Sequence, residues 1–147
     1  MSLDDGTKKM SKSSAVPGSF IALLDAPDVI RKKISRATTD SGAEVRYDVT
    51  TKPEVSNLMS IYSQCSDLSL EEIRVKYEGK MYGGFKKDLA EVIVATLEPL
   101  QNRYYEIRSS GEIQDILAQG AENASIAASK TLDEVKQRMG FLPARKN

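Results

Sequence analysis

Between Leu89 and Met139, apolar residues recur at spacings of four and three, a rhythm that a pair of long helices satisfies. Leu89, Ile93, Leu97, Leu100, Tyr104 and Ile107 make one stripe; Ile113, Leu117, Ala121, Ala124, Ala128, Leu132, Val135 and Met139 make the next. Ser109-Ser110-Gly111 between them is a turn, so the two helices are expected to close as an antiparallel hairpin. Gly120, Ala121, Ala124, Ala127 and Ala128 are small enough for a partner helix to approach closely. Pro99 removes one N–H and crowds the carbonyl of Ala95, which predicts a kink instead of a stop, because the stripe continues beyond it. Gly140 and Pro143 end the second helix.

Shorter helices precede this pair. The first structured element is expected to begin near Phe20. Asp25-Ala26-Pro27-Asp28 is a helix start with proline in the first turn. Beyond it Val29, Ile30, Ile34 and Ala37 fall on one face, and Arg31, Lys32, Lys33 and Arg36 on the other. That basic face is either an ordinary solvated surface or a patch for a phosphate backbone. The balance of 21 Lys+Arg against 21 Asp+Glu favours the solvated surface. Thr38 to Lys52 reads as loop. Pro53 opens a helix carrying Val55, Leu58, Met59 and Tyr62 and ending near Cys65. Ser69 and Glu72 fit a capping box for a further helix that Gly79 stops. Gly79 to Lys87 is not a phosphate loop, since Phe85 interrupts the required glycine–lysine step and Lys87 stands in place of the hydroxyl. Residues 20–147 are thus expected to be an all-α helical bundle closed by the long hairpin.

Residues 1–19 differ in kind. Met1-Ser2-Leu3 looks like a vector-derived start, and Asp4 to Ser19 is rich in Gly, Pro, Ser, Lys and Asp without apolar periodicity, so a flexible arm is expected. Within it Lys9-Met10-Ser11-Lys12-Ser13 places two lysines three apart among small residues. Two ammonium groups, serine hydroxyls and free backbone N–H groups can surround one polyanion. A solvated tail has the same composition.

The chain has no histidine, which removes Ser-His-Asp chemistry, imidazole acid–base catalysis and histidine-bound metals together. Its single cysteine, Cys65, excludes an internal disulfide and reads as a half-buried helix residue, in keeping with a reducing cytoplasm. No metal-ligating residues are singled out. Aromatic residues make up 6% with no Trp, a poor supply of base-stacking platforms. No apolar run approaches a membrane span.

Lys9-Met10-Ser11-Lys12-Ser13 matches the KMSKS signature, and the chain resembles the class I aminoacyl-tRNA synthetases, their bacterial tryptophan-specific members in particular. The likeness continues through Asp25-Ala26-Pro27, Ile30-Arg31-Lys32-Lys33-Ile34, Thr39-Asp40-Ser41, Val55-Ser56-Asn57-Leu58, Tyr77-Glu78-Gly79-Lys80 and Phe85-Lys86-Lys87-Asp88-Leu89-Ala90-Glu91, covering about Asp5 to Phe141. It departs at Ser14, where an acidic residue is common, and at Met81 and Gly84, where a glycine and an acidic residue are common.

The resemblance implies a parent enzyme that activates L-tryptophan with ATP and Mg²⁺ and charges tRNA(Trp), as a cytoplasmic homodimer without membrane attachment. It implies that Lys9, Met10, Ser11, Lys12 and Ser13 bind ATP, with Lys12 and Lys9 the catalytic cations at the departing pyrophosphate. The family's HIGH signature needs a histidine, so the chain reads as a C-terminal fragment, inactive alone and holding no tightly bound cofactor. The helical part would be the anticodon-recognition domain, with Lys86, Lys87, Arg103 and Arg108 as candidate contacts to the anticodon loop that the sequence does not separate from solvated surface. A free-standing helical module for RNA or protein, and a fragment of a tyrosine-specific synthetase, are the alternatives. A HIGH-like motif encoded upstream would separate the first of these from a synthetase fragment.

Overall fold

The computed structural model describes residues 1–141, and no strand occurs among them. Five helices follow in order: α1 (Pro27–Arg36), α2 (Pro53–Cys65), α3 (Leu70–Lys76), α4 (Tyr82–Ser109) and α5 (Glu112–Arg138). The all-α expectation holds. The chain divides into two compact units, Met1–Asn102 and the residues from Arg103 onward. Pro143, expected to help end the last helix, lies outside the described residues.

Local chemistry explains where the helices start. Proline opens α1 and α2, where its missing N–H costs no hydrogen bond and its fixed φ suits the first turn. Asp25 does not cap α1. It accepts from the Ala22 N–H at 2.9 Å and from Lys33 at 2.6 Å, tying the approach segment to the helix. At α3 the capping box forms in full: the Ser69 hydroxyl accepts from the Glu72 N–H, and the Glu72 carboxylate accepts from the Ser69 N–H at 2.8 Å. Gly79 adopts φ +72°, a left-handed conformation that glycine adopts at little cost, and turns the chain towards α4. The segment Phe20–Leu24, expected to begin the ordered structure, forms turns and no helix.

The core of the first unit takes the apolar face of every helix from α1 to α4. Ile30 and Ile34 of α1, Leu58 and Met59 of α2, Ile73 of α3, and Leu89 and Ile93 of α4 are buried together. At its centre Tyr62 stacks on Phe85 with ring centroids 6.0 Å apart, and Tyr77 meets Phe85 edge-on at 5.2 Å. The Tyr77 hydroxyl donates to Asp88 at 2.7 Å, and burial together with the Tyr62 and Asp88 partners pushes its ionisation up.

Two findings depart from expectation. The arm expected over Asp4 to Ser19 is tied down: Gly6 and Ser19 are buried and Met10 packs against the core, and ahead of it Leu3 is 3% exposed and Ser2 is buried. At the other end, α4 runs through Pro99 without a stop and the Ser109–Gly111 turn follows, but α5 buries none of its residues. The stripe through Ile113, Leu117, Leu132 and Val135 is exposed. Spacing defines an apolar face without specifying what covers it.

Candidate functional site

The lysine loop rises from a base held by backbone hydrogen bonds. The Ser2 N–H donates to the Lys8 carbonyl at 2.7 Å, the Leu3 N–H to the Ser19 carbonyl at 2.9 Å, and the Thr38 N–H to the Leu3 carbonyl at 2.8 Å. Met1-Ser2-Leu3 thereby ties both ends of the loop to the exit of α1. Asn57 of α2 reinforces it: its amide donates to the Met1 and Ser2 carbonyls, and its oxygen accepts from the terminal ammonium at 2.7 Å. Gly6 lies so close to α2 that a Cβ would stand 2.6 Å from the Pro53 carbonyl and the Glu54 nitrogen, so no larger residue fits without movement.

Above this base the residue types divide by role. Met10 is half-buried against the core, whereas Lys9, Ser11, Lys12 and Ser13 are exposed. An apolar anchor between two lysines therefore fixes the loop while leaving the cations in solvent. The serines shape the turns: the Ser11 hydroxyl accepts from the Ser13 N–H at 3.3 Å, and the Ser14 hydroxyl from the Val16 N–H at 3.2 Å. Each hydroxyl acts there as an acceptor, so its proton remains available to an anion.

The electrostatics separate three neighbouring lysines. Lys8 pairs with Asp5 at 2.8 Å; Asp5, bonded also by Thr7, is held well below the usual carboxylate range, and the Lys8 ammonium is raised in turn. Among the described residues neither Lys9 nor Lys12 has a carboxylate within 4 Å. The loop thus presents two uncommitted cations, several hydroxyl protons and exposed backbone, the equipment for holding an oxyanion such as a polyphosphate. All five residues of the motif lie on this one loop. Sequence reasoning missed the Asp5–Lys8 pair and the tripeptide base. Asp5-Gly6-Thr7 carried a signal for the first, an aspartate followed by turn residues.

Magnesium, implied alongside ATP, finds no donor set here: among the described residues no group of three His, Cys, Asp or Glu side chains could hold a metal ion. The loop's own chemistry is cationic and suits the phosphates instead.

A second polar cluster buttresses the first unit. Lys52 lies 3.1 Å from Asp40 and donates to the Tyr82 hydroxyl at 2.9 Å, while that hydroxyl reaches Asp40 at 3.0 Å. Burial alone would raise the Asp40 carboxyl, but the Gly42 N–H, Lys52 and Tyr82 outweigh it and hold the group below its ordinary value. Lys86 of α4 donates to the Ala37 carbonyl at 2.7 Å, and burial lowers the pKa of its ammonium. It is a structural tie at the end of α1.

A loop of this kind followed by a four-helix core defines a class. Residues 1–98 match the family of tRNA synthetases class I (W and Y), and the chain belongs to that family. Its relatives narrow the likeness to the tryptophan branch. The chain is 51% identical over 141 residues to the tryptophan–tRNA ligase of Enterococcus faecalis, covering 96% of this chain and 42% of that protein. It is 50% identical to that of Bacillus subtilis over the same length, covering 96% and 43%. The match falls on the C-terminal portion of such proteins, and the chain spans less than half of their length. The structure resembles tryptophanyl-tRNA synthetase from Mycoplasma pneumoniae, with a TM-score of 0.70 at 30% identity, over 97% of this chain and 43% of that one. It also resembles the Campylobacter jejuni enzyme, with a TM-score of 0.68 at 26% identity, covering 96% and 44%.

Proposed function

We propose that this chain is the C-terminal part of a tryptophan–tRNA ligase. In the whole enzyme L-tryptophan is activated with ATP and transferred to tRNA(Trp), within a homodimer in the cytoplasm. What supports this most directly is the anchored loop with two exposed ammonium groups, at Lys9 and Lys12, unpaired among the described residues, in a chain 51% identical to a tryptophan–tRNA ligase. Activation displaces pyrophosphate from the α-phosphorus of ATP by attack of the tryptophan carboxylate. Negative charge then accumulates on the departing group, and cations placed beforehand stabilise it more in the transition state than in the ground state. Lys12 and Lys9 supply that charge, the Ser11 and Ser13 hydroxyls donate to phosphate oxygens, and Met10 keeps the loop on its base. No step is assigned to magnesium, for which these residues offer no donors. The chain has no histidine for a HIGH signature and performs no chemistry alone.

An amino-acid panel in ATP–pyrophosphate exchange, run on the full-length enzyme, tests this. Tryptophan is expected to support exchange and tyrosine to leave it at background; exchange driven by tyrosine moves the chain to the other branch of its family.

A further inference from the structure

We infer that the groove between α1 and α4 seats the phosphodiester backbone of an RNA; this rests on reading the chain as part of a tRNA ligase. The groove measures about 520 Å³, and its walls carry Arg31, Lys32 and Ser35 from α1 and Gly83, Lys87 and Glu91 from α4. On each helix these positions recur at spacings of about four residues, so each set lines one wall. Gly83, Ser35 and the neighbouring Ala90 are small, which leaves the gap open where long side chains would fill it.

Its charge is unlike that of the chain. Lys+Arg and Asp+Glu balance at 21 each overall, but the groove gathers four cations, counting Lys86, against one carboxylate. Those groups are committed to different degrees. Lys86 is turned to the Ala37 carbonyl and serves the fold. Arg31 is held by Glu91 through Nε at 2.7 Å and Nη2 at 2.9 Å, leaving its third nitrogen free. Lys32 and Lys87 are exposed and have no carboxylate within 4 Å among the described residues. Two free ammonium groups and a partly free guanidinium suit phosphate oxygens, while the Ser35 hydroxyl donates to the Lys32 carbonyl at 2.9 Å and serves the helix. No aromatic side chain lines the groove, so bases have nothing to stack on. Such contacts position a nucleic acid without reading its sequence.

Binding of a fluorescent tRNA(Trp) transcript to the 147-residue chain, measured against salt concentration, tests the groove. The Lys32→Ala/Lys87→Ala variant is expected to bind at least about tenfold more weakly at low salt. Its log–log salt slope should shrink by about 1.4–1.8, the release expected for two lost phosphate contacts. Glu91→Gln should bind several-fold more tightly, because it removes the only carboxylate and frees Arg31. Lys130→Ala/Lys136→Ala on α5 removes the same charge elsewhere and should change affinity less than twofold. Unchanged affinity and slope in the Lys32/Lys87 variant, an equal loss in the α5 control, or no binding by the unsubstituted chain overturns the groove. The amino-acid panel does not depend on these side chains, so the ligase proposal stands or falls separately.

Discussion

At the scale of single residues, the lysine loop depends on groups that do no chemistry. Leu3 is buried in the core while its backbone joins Ser19 to Thr38, so Leu3→Ala should cost about 2–5 kcal/mol in urea denaturation. Gly6→Ala drives a Cβ into the α2 backbone and should cost about 1–3 kcal/mol; a neutral result would mean that the loop base does not rest on α2. Asp40 gives a pH dependence with a definite sign. Its folded carboxyl is held below the unfolded value near 3.8, so its contribution is present above that value and is lost as pH falls through the folded one. Denaturation midpoints should therefore drop more between pH 5 and pH 3 for the natural chain than for Asp40→Asn. Equal drops would remove Asp40 from the acid response.

At the scale of elements, local signals were legible in the sequence wherever the chemistry is local. Prolines at first turns, the Ser69–Glu72 box and the glycine after α3 needed no tertiary information, and each defines a helix end seen in the structure. What sequence could not reveal is pairing over distance. Lys52, Asp40 and Tyr82 meet across 12 to 42 residues, and Arg31 meets Glu91 across 60. Asp4 to Ser19 reads as an arm because its ties to the rest of the chain run through backbone atoms, which leave no mark on composition. The α5 stripe is the converse case: its periodicity is clear, and its residues are exposed. Leu117→Ala and Leu132→Ala should accordingly alter stability by less than about 0.5 kcal/mol beyond helix propensity, while Ile93→Ala in α4 should cost about 2–5. A large loss at Leu117 would show that the stripe is covered in solution.

At the scale of the whole molecule, the candidate site was legible as a motif of five letters, while its anchoring and its charge balance were not. The fold makes the loop specific, half-burying Met10 against the core, pairing Lys8 with Asp5 and leaving Lys9 and Lys12 in solvent. That division matters only if the exposed lysines meet a departing pyrophosphate. The decisive measurement is tryptophan-dependent ATP–pyrophosphate exchange by the full-length enzyme carrying Lys12→Ala, alongside its tryptophan affinity. Exchange should fall by about a hundred- to a thousandfold while tryptophan binds as before; exchange at the unsubstituted rate would contradict the role given to the loop.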